Sequence, residues 1–261
     1  MLTTRFVHGA PNWIDVGTPD IDGAAAFYGD LFGWRFVPGG PEVGGYGLFQ
    51  LDGRTVAGGM QTTPEQGPPS WTVYFHTPDA DATAEAVRAA HGSVVFEPMD
   101  VTDQGRMAIL GDRAGVPFGV WQPGLNKGVD LVQEPGSLRW LELYTPDIAA
   151  AAGFYHKVLG WETSSVIFPG GSYTCVNPSG QGEDAMFGGL VPLDDDSGET
   201  GDPYWLVYVE VTDTDATAAR ARELGGTVRT PPTDIPDVGR VARLADPYGA
   251  RFAVMTSAAR G

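Results

Sequence analysis

Apolar and polar residues alternate along this chain in two different rhythms. Trp13-Ile14-Asp15-Val16 has a period of two, as a half-buried strand requires, because side chains at i and i+2 share a face. From Asp20 the period lengthens. Ala24, Phe27, Tyr28 and Leu31 fall on one helical face, behind an aspartate suited to an N-cap and before Gly33, suited to the left-handed position that closes a helix. The pattern predicts a strand over 12–18, a helix over 20–32, and strands near 34–38, 45–51 and 55–61, the last two joined through the hairpin dipeptide Asp52-Gly53. After a Pro-rich joint at 62–69, a strand and helix begin again in WTVYFHTPDADATAEAVRAAHG. Strands near 94–99, 106–111 and 116–122 follow.

The same writing then recurs. Trp13 to Trp34 returns as Trp140 to Trp161, an offset of 127, with 11 of 22 residues identical. A repeat of this kind governs the reading of everything else. Tyr173 echoes Tyr46, and Gly188-Gly189 reads as the echo of Gly58-Gly59 with a hairpin three residues longer between them. A loop, DDDSGETGDP, precedes the last segment. There GRVARLADPYGARFAV repeats GRMAILGDRAGVPFGV at an offset of 134 (Gly239 against Gly105). The expected architecture is α+β, with four βαβββ modules in two domains, 1–123 and 137–261, and a linker at 124–136 with Pro and Gly but little apolar periodicity.

Composition narrows the class. A hydrophobic share of 42% is enough for packed cores, and the 37 glycines and 21 prolines punctuate periodic segments as in a chain of short strands. A formal charge of −17 repels phosphate, so neither nucleic acid nor an anionic membrane surface is expected as a partner, whereas a neutral or cationic ligand is. One cysteine, Cys175, precludes an intramolecular disulfide and fits a reducing compartment. With no apolar run of signal-peptide or membrane-span length, the expectation is a cytoplasmic monomer or homodimer.

Four βαβββ modules, the D…FY…FGW segment and the DxxG that precedes a last strand together resemble the vicinal oxygen chelate superfamily of glyoxalases, bleomycin-resistance proteins and extradiol dioxygenases. The TPD…FY…FGW form is most similar to the two-domain glyoxalase-like proteins of actinobacteria, the group of the mycobacterial 27 kDa antigen. This resemblance implies curved mixed sheets forming a cleft. It also implies, in metal-dependent members, a His on the first strand of a module and a Glu on the last. Those His places fall on Trp13, Thr72, Trp140 and Leu206, and the Glu places on Gly119 and Ala253. Such a set cannot bring several nitrogen or oxygen ligands to one point, so no metal and no other cofactor is expected.

What remains is an aromatic set: Trp13, Tyr74 and Trp121 in one half, Trp140, Tyr144 and Tyr208 in the other. Such rings suit a small flat aromatic ligand, preferably cationic, or they simply fill the space of the missing ligands. Asp15 and Glu142 occupy equivalent places on otherwise apolar strands. A carboxylate there needs a donor to offset lost hydration, and Arg106 and Arg240, each at a strand start, are candidates. The two acids are candidate general bases or structural bridges, with His76 a candidate proton shuttle. Two functions stay open: sequestration or delivery of an aromatic or antibiotic-like metabolite, and cofactor-free acid/base chemistry upon it.

Overall fold

A computed structural model describes residues 2–40, 43–168, 171–193 and 201–258. Module one is β1 (Pro11–Thr18), α1 (Ile21–Phe32), β2 (Arg35–Pro38), β3 (Gly47–Leu51) and β4 (Arg54–Gln61). Module two is β5 (Ser70–His76), α2 (Ala80–Ala89), β6 (Ser93–Val101), β7 (Gly105–Gly111) and β8 (Pro117–Pro123). Module three is β9 (Leu138–Thr145), α3 (Ile148–Leu159), β10 (Trp161–Phe168), β11 (Gly171–Pro178) and β12 (Gly188–Pro192). Module four is β13 (Tyr204–Glu210), α4 (Thr214–Glu223), β14 (Thr227–Ile235), β15 (Gly239–Ala245) and β16 (Arg251–Ser257). Most of the DDDSGETGDP loop lies outside the described residues.

Each helix starts where an aspartate side chain accepts the N–H three residues on: Asp20 from Gly23, Asp79 from Ala82, Asp147 from Ala150 and Asp213 from Ala216. Gly33 and Gly160 close α1 and α3 at φ of 76° and 69°. No described helix is long and apolar enough to cross a membrane.

The strands form two eight-stranded mixed sheets, ordered β2-β3-β4-β1-β5-β8-β7-β6 and β10-β11-β12-β9-β13-β16-β15-β14. Within each module the first and last strands run parallel, and the hairpin strands run antiparallel. The register corrects one equivalence read from the sequence. Asp15 pairs with Gly58, and Glu142 with Gly189, so the glycine equivalent to Gly58 is Gly189, and the hairpin of module three is four residues longer rather than three.

The chain packs as two compact units that interleave the sequence halves. One comprises Met1–Trp13, Thr72–Gly128 and Leu141–Trp205; the other comprises Ile14–Trp71, Val129–Trp140 and Leu206–Gly261. In the first, Tyr155 of the FY pair in α3 donates to Asp112 of the DxxG turn in module two at 3.3 Å. In the second, Tyr28 of α1 donates to Asp246 of module four at 3.1 Å. Each aspartate also accepts two backbone N–H groups of its own turn, at 2.8–2.9 Å. The two sequence signatures are therefore halves of one joint, which ties module three to module two and module one to module four.

Aromatic cores surround these joints. Tyr155 stacks on Trp161 at 4.4 Å, and Phe75 of β5 packs edge-on against Trp161 at 4.9 Å. In the other unit, Tyr28 stacks on Trp34 and meets Trp71 edge-on. Trp34 and Trp161, which follow the helix-closing glycines, each donate an indole N–H at 2.8 Å, to Gly136 O and Gly9 O. The segment between the sequence halves is likewise packed. Val129 and Leu131 are buried, and the Asp130 carboxylate accepts the N–H of Thr55 at 2.8 Å.

Candidate functional site

Asp15 sits in β1 between the buried Ile14 and Val16 and is only 6% exposed. Its parallel neighbour on β4 is Gly58, and any Cβ there would collide with the hydroxyl of Tyr46. Glycine thus lets the phenol lie across the sheet, where Tyr46 Oη donates to Asp15 Oδ2 at 3.0 Å. The other unit repeats the arrangement on β9. Glu142 is paired with Gly189, a Cβ at Gly189 would collide with Tyr173 Oη, and Tyr173 donates to Glu142 Oε1 at 2.8 Å. Here a second phenol joins. Tyr144 Oη donates to Glu142 Oε2 at 2.9 Å, and its ring lies parallel to that of Tyr204, 4.9 Å away with 4° between the planes.

Phenol hydroxyls therefore do for these carboxylates what arginines were expected to do. Arg106 instead grips both carboxylate oxygens of Asp81 in the first turn of α2, at 2.8 and 3.0 Å, and Asp100 on β6 at 2.8 Å. Arg240 engages Asp215 and Asp234 in the same way in module four. These arginines clamp a helix start to a hairpin, and their hydrogen bonds hold Asp81 and Asp215 below the usual carboxylate range. These contacts correct the assignment of Arg106 and Arg240 as donors to Asp15 and Glu142. A signal was available in the sequence: both aspartates, like the arginines, recur at the 134 offset.

The aromatic candidates divide between the units. In the first, Tyr74 lies against Gly119, its register partner on β8, so closely that a Cβ at Gly119 would strike the ring. Trp121 covers Gly105 and donates its indole N–H to Asn126 O at 2.9 Å. Trp13, Tyr74 and Trp121 are all buried. In the second, Tyr208 is buried opposite Ala253, and Trp140 is half-buried. Tyr46 and Tyr173 are half-buried, so these phenols, rather than the carboxylates beneath them, are the more accessible members of their clusters.

His76 ends β5 with its Nδ1 buried and without a protein partner. Burial, with a smaller contribution from the charge of His8, pushes its imidazole below the usual histidine value, so it is neutral near pH 7. Tyr144 was among the sequence candidates, whereas Tyr46 and Tyr173 were missed as partners of the acids, although they share the 127 offset of Asp15 and Glu142. Their role depends on the glycine seat, which only the register reveals.

The donor set does not fit the family's metal. Tyr74 fills the space beside Gly119, where a ligating Glu would stand, and among the described residues no three His, Cys, Asp or Glu side chains gather as a metal site would require. Chemically, each cluster offers a buried carboxylate that accepts a phenol hydroxyl.

Comparison with known proteins fits this chain into a family. The model of the Glyoxalase/Bleomycin resistance protein/Dioxygenase superfamily matches residues 10–120 and again 137–254. The anthracycline biosynthesis protein DauV of Streptomyces sp. (strain C5) is 42% identical over 97% of this chain and 94% of its own. CFP32 of Mycobacterium bovis, which carries a glyoxylase name, is 40% identical over 98% and 97%. Among solved structures, the 2,3-dioxygenase LapB from Pseudomonas sp. KL28 superposes with a TM-score of 0.66 at 14% identity, covering 98% of this chain and 95% of that one. The Mn(II)-bound glyoxalase from Novosphingobium aromaticivorans gives 0.64 at 16% identity, covering 95% and 82%. At such identities the structures share the fold alone, but the two family matches and the full-length relatives place the chain firmly: it belongs to the Glyoxalase/Bleomycin resistance protein/Dioxygenase superfamily.

Proposed function

We propose that this protein binds a small planar aromatic metabolite at sites built from its carboxylate–tyrosine clusters and their neighbouring aromatic residues, for sequestration, resistance or delivery, without a metal. The observation that carries this reading is the recurrence of one cluster in both units: a buried acid, a glycine seat and a phenol across it. Two supports come from outside that geometry. The relatives at 42% identity are named for anthracycline biosynthesis, and anthracyclines are planar polycyclic compounds. A charge of −17 also raises the local concentration of cations, which indole faces attract.

A panel of planar polycyclic aromatics, neutral and cationic, tests the proposal. Binders should quench tryptophan fluorescence and raise the melting temperature. Cationic binders should weaken with salt, and Trp13→Ala or Trp140→Ala should reduce affinity. A panel that changes neither fluorescence nor melting temperature would overturn it.

A second reading has its own support in Glu142, whose two phenol partners form a connected proton path. On that reading the protein is an enzyme doing cofactor-free acid/base chemistry on the same ligand, with Glu142 or Asp15 as the base. Turnover falling by about 10²–10⁴-fold in Glu142→Gln or Asp15→Asn, with binding retained, would select it over simple binding.

A further inference from the structure

The four edges of the two sheets are finished differently. Three carry the features that keep an open edge from recruiting another strand. β2 is only four residues long and runs from Arg35 to Pro38. β6 carries Glu97, Pro98 and Asp100, and its pairing with β7 is broken by two register shifts. β14 carries Pro231, Pro232 and Asp234, and its pairing with β15 is likewise shifted twice. The fourth edge, β10, has none of these guards. Its eight residues pair with β11 in unbroken register from Trp161↔Pro178 to Phe168↔Gly171, none of them is proline, and the one charge is Glu162 near the start. Among the described residues β11 is its only strand partner. The open edge is also apolar: Val166, Ile167 and Phe168 are 51%, 77% and 48% exposed, and strand alternation sends them to both faces. At the 127 offset these three stand where the first module has Gly39, Gly40 and Pro41, and Ser165 stands where β2 ends in Pro38. Where one module writes a stop, its duplicate writes three residues of high strand propensity.

We infer that β10 is the interface of a homodimer, in which Thr163–Phe168 pairs antiparallel with the same stretch of a second copy, about a twofold axis between Ser165 and Val166. Charge selects this occupant. A chain of −17 repels its own copies wherever carboxylates meet, and residues 163–168 carry none. Antiparallel pairing also sends the two Glu162 residues to opposite ends of the contact, about seven residues or roughly 24 Å apart, well beyond the screening length of about 8 Å at physiological salt. Each Glu162 is turned to its own chain besides, accepting from Ser179 Oγ at 3.1 Å and from Gly180 N at 3.2 Å. A twofold contact of this kind is closed. The guarded β14 lies at the far edge of the same sheet, so pairing stops at two chains instead of running on as a filament. The inference goes beyond the binding proposal and needs no ligand.

Sedimentation of the full chain across the micromolar range tests this. The wild type should reach the mass of two chains as concentration rises, and added salt should favour the dimer by screening the −17 charges from each other. Ile167→Lys removes an apolar side chain from each half of the contact and sets a charge in the edge, and should weaken dimerisation by about 100-fold or more. Ser165→Lys, a second exposed position, should act in the same direction by placing two ammonium groups beside the twofold axis. Phe96→Lys on the guarded β6 is the control and should leave dimerisation unchanged. Melting curves verify that each variant is folded. Hydrogen exchange then locates the contact, because amides within 163–168 should exchange more slowly in concentrated than in dilute protein. A chain that stays monomeric throughout, a dimer that survives both Ile167→Lys and Ser165→Lys, or concentration-dependent protection on β6 in place of β10 would each overturn the inference.

Discussion

One strand end in this molecule is closed by an ion pair, and its duplicate is not. Gly136 N donates to Glu210 O and Glu210 N to Ser137 O, at 2.8 and 2.9 Å. Gly9 N donates to His76 O and His76 N to Ala10 O, at 2.9 and 2.8 Å. The backbones are therefore the same, and the 127 and 134 offsets place Asn12 where Arg139 stands, His76 where Glu210 stands and Pro123 where Ser257 stands. Around the first end, Arg139 Nε meets Glu210 Oε2 at 3.0 Å and Ser257 Oγ at 2.8 Å, and Ser257 donates from its backbone to Glu210 Oε1 at 2.9 Å. Around the second, Pro123 has no N–H to give, and Asn12, 1% exposed, finds no protein partner for either amide atom. A buried polar network is stable as a complete set. Replacing its members separately leaves fragments that weaken the fold.

The largest expected effect follows from that difference. Arg139→Ala should cost about 3 kcal/mol, since it leaves the buried Glu210 carboxylate without its countercharge. Asn12→Ala should be close to neutral or stabilising, because it removes two unpaired polar atoms rather than a bond. Urea unfolding of the two variants beside the wild type measures both. Equal losses would show that Asn12 has a partner as valuable as the ion pair, and the contrast between the two ends would be gone.

A smaller effect concerns what the duplication kept. Tyr28→Phe and Tyr155→Phe each remove the hydroxyl that a buried aspartate accepts, in the second and first unit respectively, and each should cost about 1–2 kcal/mol. The two losses should agree closely, because the joints are built alike. Tyr28 also accepts the indole N–H of Trp71 at 3.1 Å, so any excess belongs to that variant. Matching denaturant midpoints would establish the joints as equivalent; a gap as large as the one between Arg139 and Asn12 would extend the divergence into the core.

These joints also mark where sequence reasoning stops. Strand, capped helix and turn were legible because each is written in neighbouring residues: Asp20 before Ala24 and Phe27, Gly33 after them, Asp52-Gly53 with both φ values positive. The family was legible because its signatures are local too. That Tyr28 reaches Asp246, 218 residues on, is not written in any local period; neither is the seat that Gly58 makes for Tyr46. Arg106 was misread as the donor to a buried acid for the opposite reason. Its partners, Asp81 and Asp100, lie close in sequence, and a nearby carboxylate on an adjoining helix turn is easier to reach than the acid proposed for it.

The least of the expected effects is a pH dependence shared by both joints. Burial pushes the Asp112 and Asp246 carboxyls above the ordinary range, more than their backbone and tyrosine hydrogen bonds pull them back. A carboxyl raised on folding contributes stability that is whole below its unfolded pKa, about 3.9, and is lost as pH rises through the folded value. Asparagine in its place does not titrate. The stability of the wild type relative to Asp112→Asn or Asp246→Asn should thus be greatest in acid and decline from about pH 3.5 toward neutrality. Exposed carboxylates held low, such as Asp20, Asp81 and Asp215, act in the opposite sense, losing their contribution as pH falls, but they are common to wild type and variant and cancel in the difference. Urea titrations across that range should give declines of the same sign for both variants. A difference that grows with pH at either site would mean that the hydrogen bonds outweigh burial there, and that the two joints, alike in geometry, are unlike in electrostatics.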